Sequence, residues 1–404
     1  YSSSLSRLRN SMLRVRLMSS GLLVLTLAAE EFDDLTEKGG NSVKTLKLHL
    51  SSLTGQPRFR QRLLQGGSIL NEDAQLSLPT DLSLVLLTYA VPEADCLRKL
   101  SDAIATDDEK AVETFLQKPY DPNSAVMDVA CLSVAAYHGS LKSAKLLFEA
   151  RAHVAGGERA GMSPLHATCH RGHSDFARWL LESKADVAET FTDGRLTTAA
   201  LHLACARGHL ELLEVLVEGG ADVNQLPPGQ GSLRPMMIAC AGGQLEAIRF
   251  LLKYRANIDC TSADGVTPLL CACERNEVSV VQLLVEAGAD KEKATISDLS
   301  PLVVATILGH TEVVRSLVGA GADIARRWRG QDGMSHLHVA CSSGHLEVAR
   351  VLVQGRADLA TTASGSTPIQ LAEAYGKQDI AALLNEALTD RREPKRRRRM
   401  KGPA

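Results

Sequence analysis

The sequence predicts a mainly α-helical solenoid preceded by a small α+β domain. Two observations support this fold class. First, residues 12–88 contain stretches that alternate apolar and polar residues with the period of β-strands. Second, a glycine recurs between two short helical patterns at intervals of 32 to 36 residues, which is the spacing of a repeat protein. The recurring positions are Gly139, Gly172, Gly208, Gly243, Gly309, Gly344 and Gly376, with Asn276 in one further unit.

The composition suits stacked short helices. Apolar residues make up 45% of the 404 residues but aromatic residues only 4%, so the interior has to consist of Leu, Val, Ile and Ala. The length allows more than one domain. The net charge of −2 is unevenly distributed, because residues 389–404 contain eight Lys/Arg against two Asp/Glu, or +6. We expect these residues to form a basic, disordered tail.

Each repeat contains start and stop signals for helices. A Ser or Thr followed by Pro, as in Ser163-Pro164, supplies an N-cap hydroxyl and a proline suited to the first turn. The recurring Gly then ends this first helix. Residues 209–224 predict a second, amphipathic helix, and Gly220 fits the left-handed residue past its end.

The segments "SPLHATCHRGH", "ALHLACARGH" and "HLHVACSSGH", each followed by a helix and an Ala-Asp pair, resemble ankyrin repeats. We count about eight units over residues 124–388, and residues 95–123 predict a capping helix pair before them. The resemblance implies a solenoid in which hairpin tips and first helices form a concave surface for other proteins. It also implies that three histidines, His166, His202 and His338, form hydrogen bonds within and between units.

A metal site is one interpretation of His202, Cys205 and His209, which lie within nine residues. Their spacing recurs in two other units, but further units have Met237 or Leu270 at the first position. An apolar residue can replace a packing residue, whereas it cannot replace a metal ligand. The third histidine also follows the helix-ending Gly, so the three side chains do not share one helical face. We therefore predict packing roles, no metal and no cofactor.

The same comparison between repeats indicates the role of the cysteines. Five of them share one position of the repeat, where two other units have Ala136 and Thr306, so we predict small core residues rather than nucleophiles. The nine cysteines include no CxxC pair, which favours reduced thiols in a cytosolic or nuclear compartment and no disulfides. The five are Cys169, Cys205, Cys240, Cys273 and Cys341.

Residues 12–90 predict a separate domain. The stretches "MLRVRL" and "LLVLTL" predict two strands. A helix follows, with Val43, Leu46, Leu50 and Leu53 as its apolar stripe. Two more apolar stretches, "QRLLQGG" and "LSLVLL", complete the order strand, strand, helix, strand, strand.

This order and the stretch "TGQPRFRQRLLQGGSILNEDAQL" resemble ubiquitin and imply a β-grasp fold. No Gly-Gly pair follows the last strand, so we expect an integral domain rather than a conjugated modifier, and the loop before the helix is longer than in ubiquitin. The resemblance places an apolar recognition patch on Leu64 and Val85, with Ser83 replacing the patch histidine. The alternative is that Leu64 and Val85 are ordinary strand residues.

The function predicted from these features is a non-catalytic scaffold or adaptor for protein–protein interaction. No Gly-rich phosphate loop, paired catalytic carboxylates or Ser/His/Asp arrangement stands out from the repeats, so we predict no enzyme. Residues 91–388 contain 27 Lys/Arg against 37 Asp/Glu, which argues against direct nucleic-acid binding. No apolar run approaches the roughly 20 residues of a membrane span. We expect partners on the concave ankyrin surface and, through the first domain, receptors of the ubiquitin pathway.

The hairpin at residues 325–333, "ARRWRGQDG", is about two residues longer than in the other units. It presents Trp328 between Arg327 and Arg329, and Trp and Arg are enriched at binding hot spots. We predict these three residues to bind a partner. The alternative is that Trp328 folds back onto a neighbouring unit.

The two ends of the chain allow several interpretations. Lys395, Arg396, Arg397, Arg398 and Arg399 predict a nuclear localisation signal that binds an import receptor, or a solvated tail without an address. Residues 1–11 are rich in Ser and Arg, and we interpret them as a disordered or upstream segment in preference to a mitochondrial presequence. The expected location is cytoplasmic, nuclear or both. The alternative function is a nuclear regulatory ankyrin protein in which the ubiquitin-like domain is only structural.

Overall fold

The computed structural model describes residues 12–39, 43–90, 92–118, 120–126, 129–155, 162–193, 196–228, 233–329 and 333–400. The chain divides into two compact units, Tyr1–Asp186 and Val187–Ala404, which are described separately below. The first unit contains a β-rich N-terminal module, residues 12–90, and helix pairs. The second unit contains helix pairs joined by short loops and hairpins. Residues 1–11, which we predicted to be disordered or upstream, lie outside the described residues.

The N-terminal module is a five-stranded mixed sheet with two helices. Its strand order is β2-β1-β5-β3-β4, in which β1 and β5 are parallel and the other neighbours are antiparallel. This topology is compatible with a β-grasp domain. The elements are β1 (Leu13–Leu17), β2 (Leu23–Leu27), α1 (Ala29–Gly39), α2 (Val43–Thr54), a 3₁₀ turn (Arg58–Arg60), β3 (Gln61–Gln65), β4 (Ser68–Ile69) and β5 (Thr80–Leu86).

The alternation in the sequence determines which face of the sheet is buried. Leu13 and Val15 of β1 lie in the core, and the buried side of α2 packs over them with Val43, Leu46 and Leu50. The stripe that we predicted for α2 was wrong at its end, because the side chain of Leu53 is 53% exposed. The long loop that we expected before α2 contains α1, whose Phe32 joins the same core.

Helix pairs follow the module, with small hairpins between some of them. Those of the first unit are α3 (Ala94–Ala105), α4 (Glu109–Leu116), α5 (Cys131–His138), α6 (Leu141–Glu149), α7 (Pro164–Arg171) and α8 (Ser174–Glu182), with strands β6 (Ala125–Val126) and β7 (Val129–Ala130) before α5. The helices α3 and α4 form a helix pair at residues 94–116, where we predicted one.

The second unit continues the same pattern. It begins with the strands β8 (Thr190–Asp193) and β9 (Leu196–Ala199). Its helices are α9 (Ala200–Arg207), α10 (Leu210–Glu218), α11 (Pro235–Ala241), α12 (Leu245–Lys253), α13 (Pro268–Glu274), α14 (Val278–Glu286), α15 (Pro301–Leu308), α16 (Thr311–Gly319), α17 (His336–Ser343), α18 (Leu346–Gln354), α19 (Pro368–Ala374) and α20 (Gln378–Met400). The strands β10 (Arg327–Trp328) and β11 (Met334–Ser335) precede α17.

The helix ends explain the spacing of glycine in the sequence. All seven recurring glycines have a positive φ, and Asn276 takes the same conformation at φ 60°. At the start of α13, the hydroxyl of Thr267 caps the helix by accepting the backbone N–H of Leu270. Ser163 differs from this prediction, because its hydroxyl lies 2.6 Å from Nδ1 of His166 and does not cap α7.

The last helix extends further than the sequence suggested. We expected residues 389–404 to be disordered, whereas the backbone of α20 is helical through Met400. Arg, Lys, Glu and Met favour helix, and the preceding turns supply the nucleus from which the helix continues. The side chains of residues 392–400 and all of residues 401–404 lie outside the described part of the chain.

Candidate protein-binding surfaces

The repeated cysteines form part of the core. Cys169, Cys205, Cys240, Cys273 and Cys341 are all fully buried, as are the equivalent Ala136 and Thr306. Burial raises the pKa of the Cys341 thiol to about 12 and that of Cys205 still further, so both are protonated at neutral pH. These positions accept whichever small side chain the packing of first helices allows.

The repeated histidines occupy two different places. His166, His202 and His338 are buried on the first helices, whereas His173, His209 and His345 lie at the N-cap position of the second helices. His345 uses Nε2 to reach the backbone carbonyl of Ile307, one unit earlier, at 2.9 Å. Across the described residues there is no group of three or more His, Cys, Asp or Glu side chains placed to hold a metal ion.

His338 forms hydrogen bonds within its own unit and to the next one. Its Nε2 donates to the backbone carbonyl of Ser366 in the next unit at 3.1 Å, which leaves Nδ1 as an acceptor. Nδ1 accepts from Ser335, whose hydroxyl lies 2.7 Å away and whose backbone N–H lies 3.2 Å away. A neutral imidazole therefore satisfies both nitrogens and ties two units together.

The predicted binding hairpin lies against the hairpin of the preceding unit. Strand β10 pairs with β11, and the pair Trp328–Met334 places the indole at the tip. Trp328 is half-buried, and its Nε1 donates to the backbone carbonyl of Ser297 at 3.4 Å. The structure therefore combines features of both hypotheses: part of the ring remains exposed while its N–H contacts a neighbouring unit.

A set of charged contacts holds the same two hairpins together. Arg326 lies 2.7 Å from Oδ1 of Asp298 and donates to the backbone carbonyl of Glu292 at 2.6 Å. The backbone N–H of Arg329 donates to Oδ2 of Asp298 at 3.0 Å. These donors lower the pKa of Asp298, which keeps its carboxylate ionised. The tip of the hairpin is thus positioned by its neighbour before any partner arrives.

The residues presented to solvent at this point include one that sequence reasoning missed. Ile296, next to Ser297, is 78% exposed, and an apolar residue at a polar hairpin tip was the signal that could have identified it. Arg327 and Arg329, which flank Trp328 in the sequence, are exposed, and Arg327 donates to the carbonyl of Thr362 at 3.2 Å. We call Ile296, Arg327, Trp328 and Arg329 the hairpin surface.

The predicted patch of the N-terminal module lies on the outer side of its sheet. Leu64 of β3 is opposite Ser83 of β5, and Arg62 is opposite Val85, so Leu64 and Val85 are diagonal neighbours on one face. Both are half-buried. Ile69 of β4 pairs with Leu64 and is 63% exposed, which sequence reasoning had not noticed. We call Leu64, Ile69 and Val85 the outer apolar face.

The basic segment, residues 389–404, contains one arginine near its start whose side chain is hydrogen-bonded to the backbone of another helix. Arg391 donates to the backbone carbonyl of Val353, in the last turn of α18, at 3.0 Å and to that of Ala357, just past this helix, at 2.9 Å. The side chains of Lys395, Arg396, Arg397, Arg398 and Arg399 lie outside the described residues. Within the described part of the chain, none of the helices combines the length and apolar character needed to cross a bilayer.

Comparisons with known proteins identify the repeats. A family model described as ankyrin repeats in three copies matches residues 100–190, 132–227, 201–295, 236–328 and 302–392, which together cover more than half of the chain. Human protein phosphatase 1 regulatory subunit 27 is 38% identical over 68 residues. Those residues are 17% of this chain and 44% of that protein, so the chain spans less than half the length of this relative.

Proposed function

Because the chain belongs to the ankyrin-repeat family, whose members bind other proteins, we propose that it is a non-catalytic adaptor that binds a client protein through its repeats. The hairpin surface is the observation that supports this proposal most directly. It combines an exposed isoleucine, a half-exposed tryptophan and two arginines, and its backbone is fixed by Arg326 and Asp298. A preorganised surface of this composition loses little entropy on binding.

The relative supports a regulatory role in general terms. It is named as a regulatory subunit, and its name assigns no catalysis to it. The similarity covers a short stretch of repeats, so it supports a binding function and leaves the client protein open.

The N-terminal module is, in this proposal, ubiquitin-like and presents the outer apolar face to a receptor of the ubiquitin pathway. A sheet topology compatible with a β-grasp domain and the diagonal pair of Leu64 and Val85 support this assignment. With client and receptor bound to one chain, the receptor meets the client at an increased local concentration. The basic segment would direct the protein to the nucleus through an import receptor.

The alternative is a nuclear regulatory protein in which the module has only a structural role. The ion pairs from Lys44 and Arg58 of the module to Glu113 of α4 favour this alternative. The two functions differ in one respect: the adaptor needs a free outer apolar face, whereas a structural module does not.

The double variant Leu64→Ala/Val85→Ala tests the adaptor. It should abolish capture of purified ubiquitin-binding domains while client capture, followed by crosslinking and mass spectrometry, is retained. The matched control is Asp81→Ala, an exposed position on β5 away from the patch. If the double variant binds every partner as the wild type does, the adaptor role is wrong. If it instead melts the module, the two residues are structural.

A further inference from the structure

A fully buried arginine links the N-terminal module to the first repeats. Arg58 lies in the 3₁₀ turn before β3, and none of its surface is exposed. Its Nη1 lies 2.6 Å from Glu72 of the module, its Nη2 lies 2.7 Å from Glu113 of α4, and its Nε donates to Glu149 of α6. One side chain thus connects three separate parts of the chain.

This arginine is held in its charged form. Burial by itself lowers the pKa of Arg58, but the hydrogen bonds to Glu149 and Glu113 and the charge of Glu72 raise it above its usual value. Although burial raises the pKa of Glu113, donors from Arg58 and Lys44 bring it below its usual value. A buried charge is strongly unfavourable without partners, so the partners and Arg58 depend on one another.

Further polar contacts surround Arg58 and its glutamate partners. Lys44 of α2 lies 3.1 Å from Glu113, and the buried Lys47 lies 2.5 Å from Glu72. Arg62 of β3 donates to the backbone carbonyl of Gln117, just past α4. The module therefore presents a basic surface to acidic side chains of α4 and α6, and we call these contacts the Arg58 network.

Apolar packing continues the contact beside the Arg58 network. Phe59 and Leu116 are both buried and line the same cavity, whose volume is about 10 Å³. The chain between the two parts is also paired: Ala90 forms a parallel bridge with Tyr120, and Nε of Arg60 donates to the carbonyl of Leu87 at 2.7 Å. The connection thus combines buried apolar side chains with backbone pairing.

We infer that the N-terminal module is the N-terminal cap of the repeat stack, and that Arg58 makes the module and the first helix pairs unfold together. Terminal repeats need a polar covering element, because their inner side otherwise exposes apolar surface. The module supplies that element with the basic side formed by Lys44, Lys47 and Arg58. The outer apolar face lies on the other side of the sheet from α2, so this inference holds whether or not the module binds a receptor.

Hydrogen exchange of the full-length chain, followed by mass spectrometry, tests the inference. Arg58→Met leaves three carboxylates without their shared cation, and removing one partner of a buried pair is strongly destabilising. We expect exchange to accelerate by about 100-fold in β1, β5, α4 and α6 alike, with α15 to α18 unchanged. The matched control, Arg16→Met on an exposed position of β1, should leave all of these segments at the wild-type rate.

A second variant covers the case in which Arg58→Met fails to fold. Glu113→Gln/Glu149→Gln removes only the charges on the repeat side and keeps Arg58 paired with Glu72, and it should accelerate exchange in the module as well as in α4 and α6. Acceleration confined to the module in either variant would mean that the module is an independent domain. Unchanged exchange in both would mean that the Arg58 network does not couple the two parts. Neither readout depends on a receptor, so the adaptor proposal is tested separately.

Discussion

The indole N–H of Trp328 donates a hydrogen bond to the backbone carbonyl of Ser297, 31 residues earlier and one repeat away. The two residues lie at the tips of consecutive hairpins. Because the N–H is occupied while part of the ring is exposed, a partner meets a tryptophan whose orientation is already determined. Ile296, beside Ser297, adds an exposed apolar side chain to the same surface.

Trp328→Ala should weaken client capture by about 30-fold or more, the loss typical of a hot-spot residue, because the ring supplies apolar area to the partner. Helicity and melting temperature should remain close to those of the wild type, since the hairpin tip contributes little to the stacked core. Affinity measured by titration calorimetry checks the first expectation, and circular dichroism checks the second. Tyr254→Ala, at an exposed aromatic outside the hairpins, is the control. A sharp fall in melting temperature with intact binding would make Trp328 structural.

Extensive dialysis against EDTA should leave the melting temperature unchanged, because the repeated His and Cys positions are filled by packing residues. His338 already uses both ring nitrogens for Ser335 and Ser366, and Cys205 is a buried, protonated thiol. Differential scanning fluorimetry before and after dialysis checks this expectation. A loss of several degrees that zinc restores would contradict it.

Stability should fall when the pH is lowered below about 6.5, the usual pKa of histidine. Burial is the main reason that the pKa values of His336 and His338 lie below this value in the folded chain. The unfolded chain therefore binds these protons more tightly, and stability is lost as the pH falls from about 6.5 towards the folded pKa values. Urea unfolding between pH 5 and 8 measures the effect.

The variant His338→Gln serves as the control for this dependence. It should be less stable than the wild type at pH 7.5, because the hydrogen bond to Ser366 is lost or weakened. Its stability should also change less between pH 7.5 and pH 5, since one of the two titrating groups is gone. An equally steep dependence in the variant would show that other groups are responsible.

Substituting Gln for Lys395, Arg396, Arg397, Arg398 and Arg399 should reduce nuclear accumulation of a tagged protein without lowering its melting temperature. Removing the five charges removes the attraction to an acidic import groove. Substitution is preferable to truncation at residue 389, because truncation also removes Arg391 and its two hydrogen bonds to the end of α18. Arg391→Gln should have the opposite profile, with lower stability and normal distribution. An unaltered distribution of the five-residue variant would mean that the segment is not a nuclear localisation signal.

Features that depend on neighbouring residues could be predicted from the sequence. The recurring glycines predicted where the first helices end, because a positive φ is a property of the single residue and its turn. The shared position of Cys169, Cys205 and their equivalents predicted buried side chains, because the same contact between helices recurs in each repeat. The alternation in β1 likewise predicted which side chains enter the core of the module.

The element that covers each surface could be identified only in the folded chain. Arg58 is an ordinary basic residue in the sequence, and its partners Glu72, Glu113 and Glu149 lie 14, 55 and 91 residues away. The contact of Trp328 with Ser297 and the exposure of Leu53 and Ile296 also depend on elements that are distant in sequence. Local periodicity shows which face of a helix or strand is apolar, but it carries no information about the neighbour that packs there. The neighbour that packs on each face is determined when the chain folds, because buried charges and apolar surfaces become stable only in the presence of their partners.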